Sequence, residues 1–315
     1  SSTVLDVADA GVFGVGGLNS VTGTIIGGTI INTNASPVFN AAGSTLDGVT
    51  LGAAGNLNLT VNGAVTFANG LNLANGAVIT RNATSWGFTT TGLQRISTPG
   101  SATIINNGSV ITAGISVGGQ TLQIDSGVTL QGFTTLNQSN VAGIINAGTI
   151  SASGGTFSIT PNTFTNSGTV EATAGGTTYL SPNTSWTNSG LLSANGGTLT
   201  LSGPTSTNSG NLSVSPGGVL NLGGNLSSAT LVGHFTRNGG TVNVPGVFNN
   251  SSTVLDVGDA GVFGVGGLNS VTGTIIFNDP VAGTATFGAN ISWTGIGITA
   301  ANTTCMQLIN DGLQT

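Results

Sequence analysis

Lysine is absent from this chain. Arg81, Arg95, Arg237 and His234 are all the basic side chains it has, and nine acidic residues leave a net charge of −6 over 315 residues. Charged residues make up 4% of the chain, against about 25% in an ordinary soluble domain. Without a basic patch, nucleic-acid binding through phosphate neutralisation is excluded. A single cysteine, Cys305, excludes an internal disulfide framework. No apolar run approaches the roughly 18 residues a membrane-spanning helix needs. Glycine does not recur at every third position, so collagen is excluded. Glu, Lys and Arg, which normally coat exposed helix faces, are nearly missing, so helical folds fall as well.

What remains is the vocabulary of strands and turns. Val, Ile, Thr, Phe and Leu stand between Gly, Asn and Ser, and glycine alone supplies 54 residues. Apolar residues reach 38%, enough to bury a core, so disorder is not expected. The composition specifies an all-β protein. Low charge and an acidic balance suit an extracellular or cell-surface location. The chain shows no signal peptide and begins with Ser1, as expected of a processed or excised piece.

Two nested repeats organise the sequence. Ser1–Ile26 and Ser251–Ile276 differ only at Ala8 against Gly258, an offset of 250 residues. The short period is about 21 residues, within the range of solenoid repeats. Gly-Gly pairs begin at Gly154, Gly175, Gly196, Gly217 and Gly239, each followed by an alternating tetrapeptide such as TFSI, TLTL or TVNV. Asn-x-Gly turns place glycine at Gly108, Gly148, Gly168, Gly190 and Gly210, and Asp125-Ser126-Gly127 fills the gap between the first two. A third short piece (TFTN, SWTN, TSTN) precedes each of Asn166, Asn188 and Asn208.

Three short strands in each such coil, separated by tight turns, describe a parallel β-solenoid, or parallel β-helix. Its expected hand is right-handed, the hand of parallel crossovers. One wet face per wall explains the period-2 alternation. Phe157, Ile159, Leu199, Leu201, Leu220, Leu222, Val242 and Val244 point inward; Ser158, Thr200, Asn221 and Asn243 point to water. Residues 1–276 form one continuous solenoid of roughly 15 coils counted to the chain's end, a rod of about 70 Å at the strand spacing. Residues 277–315 depart from their earlier counterpart and form either a cap or a junction segment.

Two columns follow from the turns. Asn106, Asn146, Asn166, Asn188 and Asn208 form a structural ladder whose amides bond from coil to coil, with plain turn chemistry as the simpler account of the same residues. Val110, Ile150, Val170, Leu192 and Leu212 form a core stack on one wall. Ile104, Ile144, Phe164 and Trp186 form another.

These residues resemble a known family. Leu222–Val257 (LGGNLSSATLVGHFTRNGGTVNVPGVFNNSSTVLDV) and the TNSGTV…GGT…L pattern of Thr165–Leu222 are similar to modules of giant bacterial surface and secreted repeat proteins, the filamentous haemagglutinins and autotransporter-adhesin passengers. The resemblance covers about two-thirds of the chain. It implies a long parallel β-helix acting as adhesin, matrix component or fibre, and no catalytic residues.

Chemistry finds little support. Glycosidic cleavage needs two facing carboxylates, and the candidate pairs, Asp6 with Asp9 and Asp256 with Asp259, are one pair duplicated. His234 is the sole histidine, so neither a hydrolase triad nor a metal cluster has local support. Cys305 reads as a small apolar residue. The Gly14–Asn19 run GVGGLN has no helix after it, so it is not a phosphate loop. Trp186 fills the core slot of Phe164, whereas Tyr179 points outward. Thr156, Thr177 and Thr198 form an exposed row that breaks at Val219. No catalytic, metal or cofactor residue is assigned and no cofactor is expected.

The sequence therefore reads as a non-enzymatic structural component of an extracellular fibre, sheath or surface adhesin. The alternative is a carbohydrate-binding or carbohydrate-cleaving β-helix, with surface glycans as partner. The main expected partner is the chain itself. The segment Ser1–Ile26 lacks a polar cap, so either a longer repeat chain continues or subunits stack head to tail into a filament. The interface would lie between the Ser1 end and the region after Phe277, with Gln307–Thr315 reaching into the neighbour.

Overall fold

The structure is a computed structural model. It describes residues 4–82, 85–113, 120–138 and 143–250, and beyond them Phe263 and the strands Val254–Asp256, Ser270–Val271, Thr274–Phe277, Thr284–Phe287, Ser292–Trp293, Gly297–Ala300 and Gln307–Asn310.

The chain is an all-β parallel solenoid with three walls. The first wall is a ten-stranded sheet running from Val4–Asp6 through Gly143–Asn146, Thr163–Asn166 and Ser185–Asn188 to Ser206–Asn208. The second and third walls form one 20-stranded sheet among the described residues. They are continuous because Ala102–Ala113, Val128–Gln138 and Thr149–Thr160 each run through the corner as one strand, the last two turning at Gly132 and Gly154 with φ of 104° and 69°. Every pairing between described strands is parallel. Asn225–Ser227, Val247–Asn250, Thr274–Phe277 and Gly297–Ala300 form a four-stranded sheet, and Val254–Asp256, Thr284–Phe287 and Gln307–Asn310 a three-stranded one, so parallel pairing runs on past Phe277. Ala10–Phe13 is a single helical turn capped by Asp9, whose Oδ1 accepts from Gly11 N and Val12 N.

Alternation decides which side chain is buried. Thr198–Leu201 reads half-buried, buried, half-buried, buried, and so does Thr241–Val244. Coils stack like on like: Leu136, Ile159, Leu180, Leu201 and Leu222 form one inward column of the third wall. Coil length varies. On the first wall one coil runs from Ile144 to Phe164 and the next from Phe164 to Trp186. The earlier coils from Leu71 to Ile96 and from Gln94 to Leu122 are longer.

The two glycine series serve different purposes. Gly175 has φ of 77° with open space where a side chain would point, so left-handed backbone selects glycine there. Gly190 has no positive φ; a Cβ on it would collide with the backbone oxygen of Gly168 in the coil before. The first series turns the chain, and the second lets coils approach.

Three assignments need correction. Val110 does not join Ile150, Val170, Leu192 and Leu212. That column is headed by Leu59, Ile79, Ile104 and Leu130, while Val110 is half-exposed and pairs with Thr135. Asn106 does not belong under Asn146; it lies between Arg81 and Gly132 on the second wall. The common cause is a corner misassigned. In later coils Asn-x-Gly sits between the first and second walls. Asn106-Asn107-Gly108 sits between the second and third, where the strand register shifts between Asn107 and Val110. Ile104, grouped with Ile144, moves for the same reason; Leu122 stands above Ile144.

Candidate functional site

Three features of this surface and interior are built from several coils at once, and each begins with a column. The first is the interior asparagine ladder. Asn146, Asn166, Asn188 and Asn208 take successive rungs at the end of the first wall. Each Nδ2 donates to the Oδ1 of the next coil at 2.7 Å, through Asn166, Asn188 and Asn208 in turn. Asn208 ends the run by donating to Thr230 O at 2.9 Å. Each Nδ2 also bonds the carbonyl two residues on, at Gly148, Gly168, Gly190 and Gly210. The ladder therefore closes the corner and ties coils together. Ile124 stands above Asn146, so Asn146 Oδ1 is buried without a donor.

Asn106 has another task. It is fully buried, and its Oδ1 accepts from Arg81 Nε at 3.0 Å. Arg81 also donates to Val110 O and Thr134 Oγ1, and its guanidinium lies 5.7 Å from the centre of the Trp86 ring. Burial pushes the Arg81 guanidinium down to about 10. This is a polar plug within the core, beside Phe67 and Trp86, which meet edge to face at 5.0 Å.

The second feature is a set of outward polar rows. Thr156, Thr177 and Thr198 are adjacent on the third wall, and Val219 follows. Sequence reading missed three further rows. Thr103, Thr129, Thr149 and Thr169 line the second wall, all half-exposed. Thr165, Thr187 and Thr207 line the first wall, all exposed, with Thr163 and Ser185 beside them. Asn40, Asn62, Asn82 and Asn107 make a second asparagine ladder on the outer face; Asn62 donates to Asn40 at 3.1 Å and Asn107 to Asn82 at 3.3 Å. These rows become visible only once the coils are in register.

The third feature is the open edge at the start. Thr24–Ile26 pairs with Thr45–Asp47 on one side, and no described strand lies on the other. Val4, Val12, Val15 and Ile26 are exposed there, Val15 and Ile26 at 103% and 78%.

The carboxylates are engaged locally. Asp6 accepts from Ala8 N, Thr33 N and Thr33 Oγ1. Burial pulls its carboxyl up, but these donors, the Thr33 hydroxyl foremost, outweigh it and hold the group below the ordinary carboxylate value. Asp9 caps the helical turn, Asp47 accepts from Asn69, and Glu171 accepts from Ser151. Asp125 pairs with Arg95 at 2.8 Å and accepts from Gln123. Asp6 and Asp9 thus have separate structural roles. Asp259 and Cys305 lie outside the described residues, as do the side chains of Asp256 and Trp293. His234 is half-buried, Trp186 is buried and Tyr179 is exposed. Among the described residues no group of three or more His, Cys, Asp or Glu comes together to hold a metal, and no helix is long and apolar enough to cross a membrane.

Fold and surface together define a parallel β-solenoid with sparsely charged, hydroxyl- and amide-coated walls. No family model, no curated protein and no solved structure matches the chain.

Proposed function

We propose that this chain is a non-enzymatic structural component of an extracellular fibre, sheath or surface adhesin, assembling end to end through its solenoid edges. The carrying observation is the repeat of Ser1–Ile26 at Ser251–Ile276, where a preceding coil, Val247–Asn250, is paired to Thr274–Phe277. In the first copy Thr24–Ile26 is paired with Thr45–Asp47 and with no other described strand, and Val4, Val12, Val15 and Ile26 are each exposed. Exposed apolar edges recruit further strands, and a heterologous end-to-end contact propagates without closing. The near absence of charge favours a location outside the cell. The resemblance of Thr165–Leu222 and Leu222–Val257 to bacterial surface repeat proteins supports the same role. The local engagement of Asp6, Asp9, Asp47, Asp125 and Glu171 favours a structural use of carboxylates over a catalytic one.

A second reading rests on the first wall. The exposed hydroxyls of Thr165, Thr187 and Thr207, at one strand spacing each, form a flat polar strip suited to surface glycans. Negative-stain microscopy and light scattering of the intact chain test the main reading, with filaments expected. A monodisperse monomer at high concentration defeats it. A glycan array tests the second, and robust turnover in a polysaccharide hydrolysis screen overturns the non-enzymatic role.

A further inference from the structure

The chain carries its own comparison for the open edge. Ser1–Ile26 and Ser251–Ile276 are the same segment but for Ala8 and Gly258. Two nearly identical segments present the same edge chemistry, so a difference in burial reports what stands next to each. In the second copy a coil is seated on the edge. Thr274–Phe277 lies between Gly297–Ala300 on one side and Val247–Asn250 on the other, in the register Val247 to Thr274, Phe248 to Ile275 and Asn249 to Ile276. Ser270 and Val271 pair with Asn243 and Val244 of the same seated coil. The Phe263 ring is fully buried, 5.5 Å from Phe248, and Arg237 Nη1 donates to Phe263 O.

In the first copy no described strand lies on the matching side of the edge. Thr24–Ile26 keeps its partner on the far side, Thr45–Asp47; Ile25 is in line with the buried Leu46, whereas Ile26, in line with Asp47, points outward and is 78% exposed. Phe13, counterpart of Phe263, is only half-buried, and Val12 beside it is exposed.

We infer that the first-copy edge is a register-specific docking surface for a coil with the sequence of Phe235–Asn250, supplied by another copy of this repeat. Val247 pairs with Thr24, Phe248 with Ile25 and Asn249 with Ile26. The Phe248 ring packs on Phe13, and the Arg237 guanidinium donates to the Phe13 carbonyl. The occupant is another repeat copy rather than an unrelated protein, because this sequence already carries that coil on that edge. This inference deepens the end-to-end reading and takes its biological meaning from it. It also relocates the partner surface from the region after Phe277 to a coil of the type 235–250.

The test appends residues 225–250 directly ahead of Ser1 of the full chain, as they stand ahead of Ser251, in a Cys305→Ser background. Ile26→Cys is combined with Asn249→Cys in the appended copy. The expected result is a disulfide between those two positions under mild oxidation and an appended coil that resists protease. An appended coil that is digested at once, or that cross-links equally well to Ile25→Cys, overturns the inference. Phe248→Asp in the appended copy is expected to abolish both signals; their survival also overturns it. Microscopy of the unextended chain is read separately. Filaments with a loose appended coil overturn this inference and leave the end-to-end reading standing. A seated appended coil on a chain that stays monomeric keeps the docking surface and defeats the end-to-end reading.

Discussion

Asn166 Nδ2 donates to Asn188 Oδ1 across 2.7 Å inside the solenoid. Both amides are shut away from water, at 1% and 0% exposure, and each relies on the coil above and the coil below. Removing a buried partner leaves its neighbour with the desolvation cost and no bond, about 1–3 kcal/mol. Asn166→Ala strips the acceptor from Asn146 and the donor from Asn188, so it should destabilise by about 2–3 kcal/mol. Asn107→Ala, in the exposed ladder, should change stability by no more than about 0.5 kcal/mol. Urea denaturation of both variants checks the contrast; equal losses would show that the inner ladder is only a turn.

Val170 and Val110 look equivalent along the sequence and are opposite in space. Val170 is fully buried under Ile150 and over Leu192. Val170→Asp should cost several kcal/mol, because an unpaired charge enters a dry column. Val110→Asp, half-exposed beside Thr135, should cost less than about 1 kcal/mol. An unchanged melting temperature for Val170→Asp would refute its inward placement.

The two glycine series respond differently to asparagine. Asn tolerates the left-handed region better than most residues, and the nearest atom a Cβ at Gly175 would meet is Gly154 Cα, at 4.0 Å. Gly175→Asn should fold with a loss of about 1 kcal/mol or less. Gly190→Asn drives a Cβ into the Gly168 carbonyl and should cost about 1–3 kcal/mol or prevent folding. Comparable melting points for the two variants would overturn the distinction.

Acid should loosen the first coil through Asp6. Its folded carboxyl titrates below the ordinary value, so its contribution is present above the unfolded pKa near 4 and is lost as pH falls through the lower folded value. The bond to Thr33, on the next coil, is what protonation weakens. The hydrogen-exchange protection factor of Thr33 N, its rate corrected for the intrinsic rate at each pH, should fall below about pH 4 in the native chain, and in Asp6→Asn it should be low and nearly independent of pH across the same range. Identical pH profiles for the two would remove Asp6 from this role.

The alternating tetrapeptides TFSI, TLTL and TVNV were legible as walls because period 2 has one solution when one face is wet and the other dry. Four of the five ladder asparagines were legible for a similar reason, since coils of nearly equal length between Ile144 and Ser206 put like corners above one another. Asn106 was not, because the coil containing it is longer and carries its Asn-x-Gly turn at a different corner. The threonine rows at Thr103 and Thr165 escaped because threonine is common throughout and marks no turn.

By itself the sequence determined the all-β class, the three-strand coil and the direction of most side chains. Those follow from local facts: strand periodicity, turn residues and a composition that cannot build helices. Only the tertiary structure decided which residues share a column. Register between coils depends on how many residues each coil spends at its corners, a quantity set by stacking rather than by local preference. The same holds for the edge at Ile26 and Ile276. Phe13 is half-buried and Phe263 fully buried in two nearly identical segments because the neighbouring coil, and not the segment, supplies the second side of a parallel ladder.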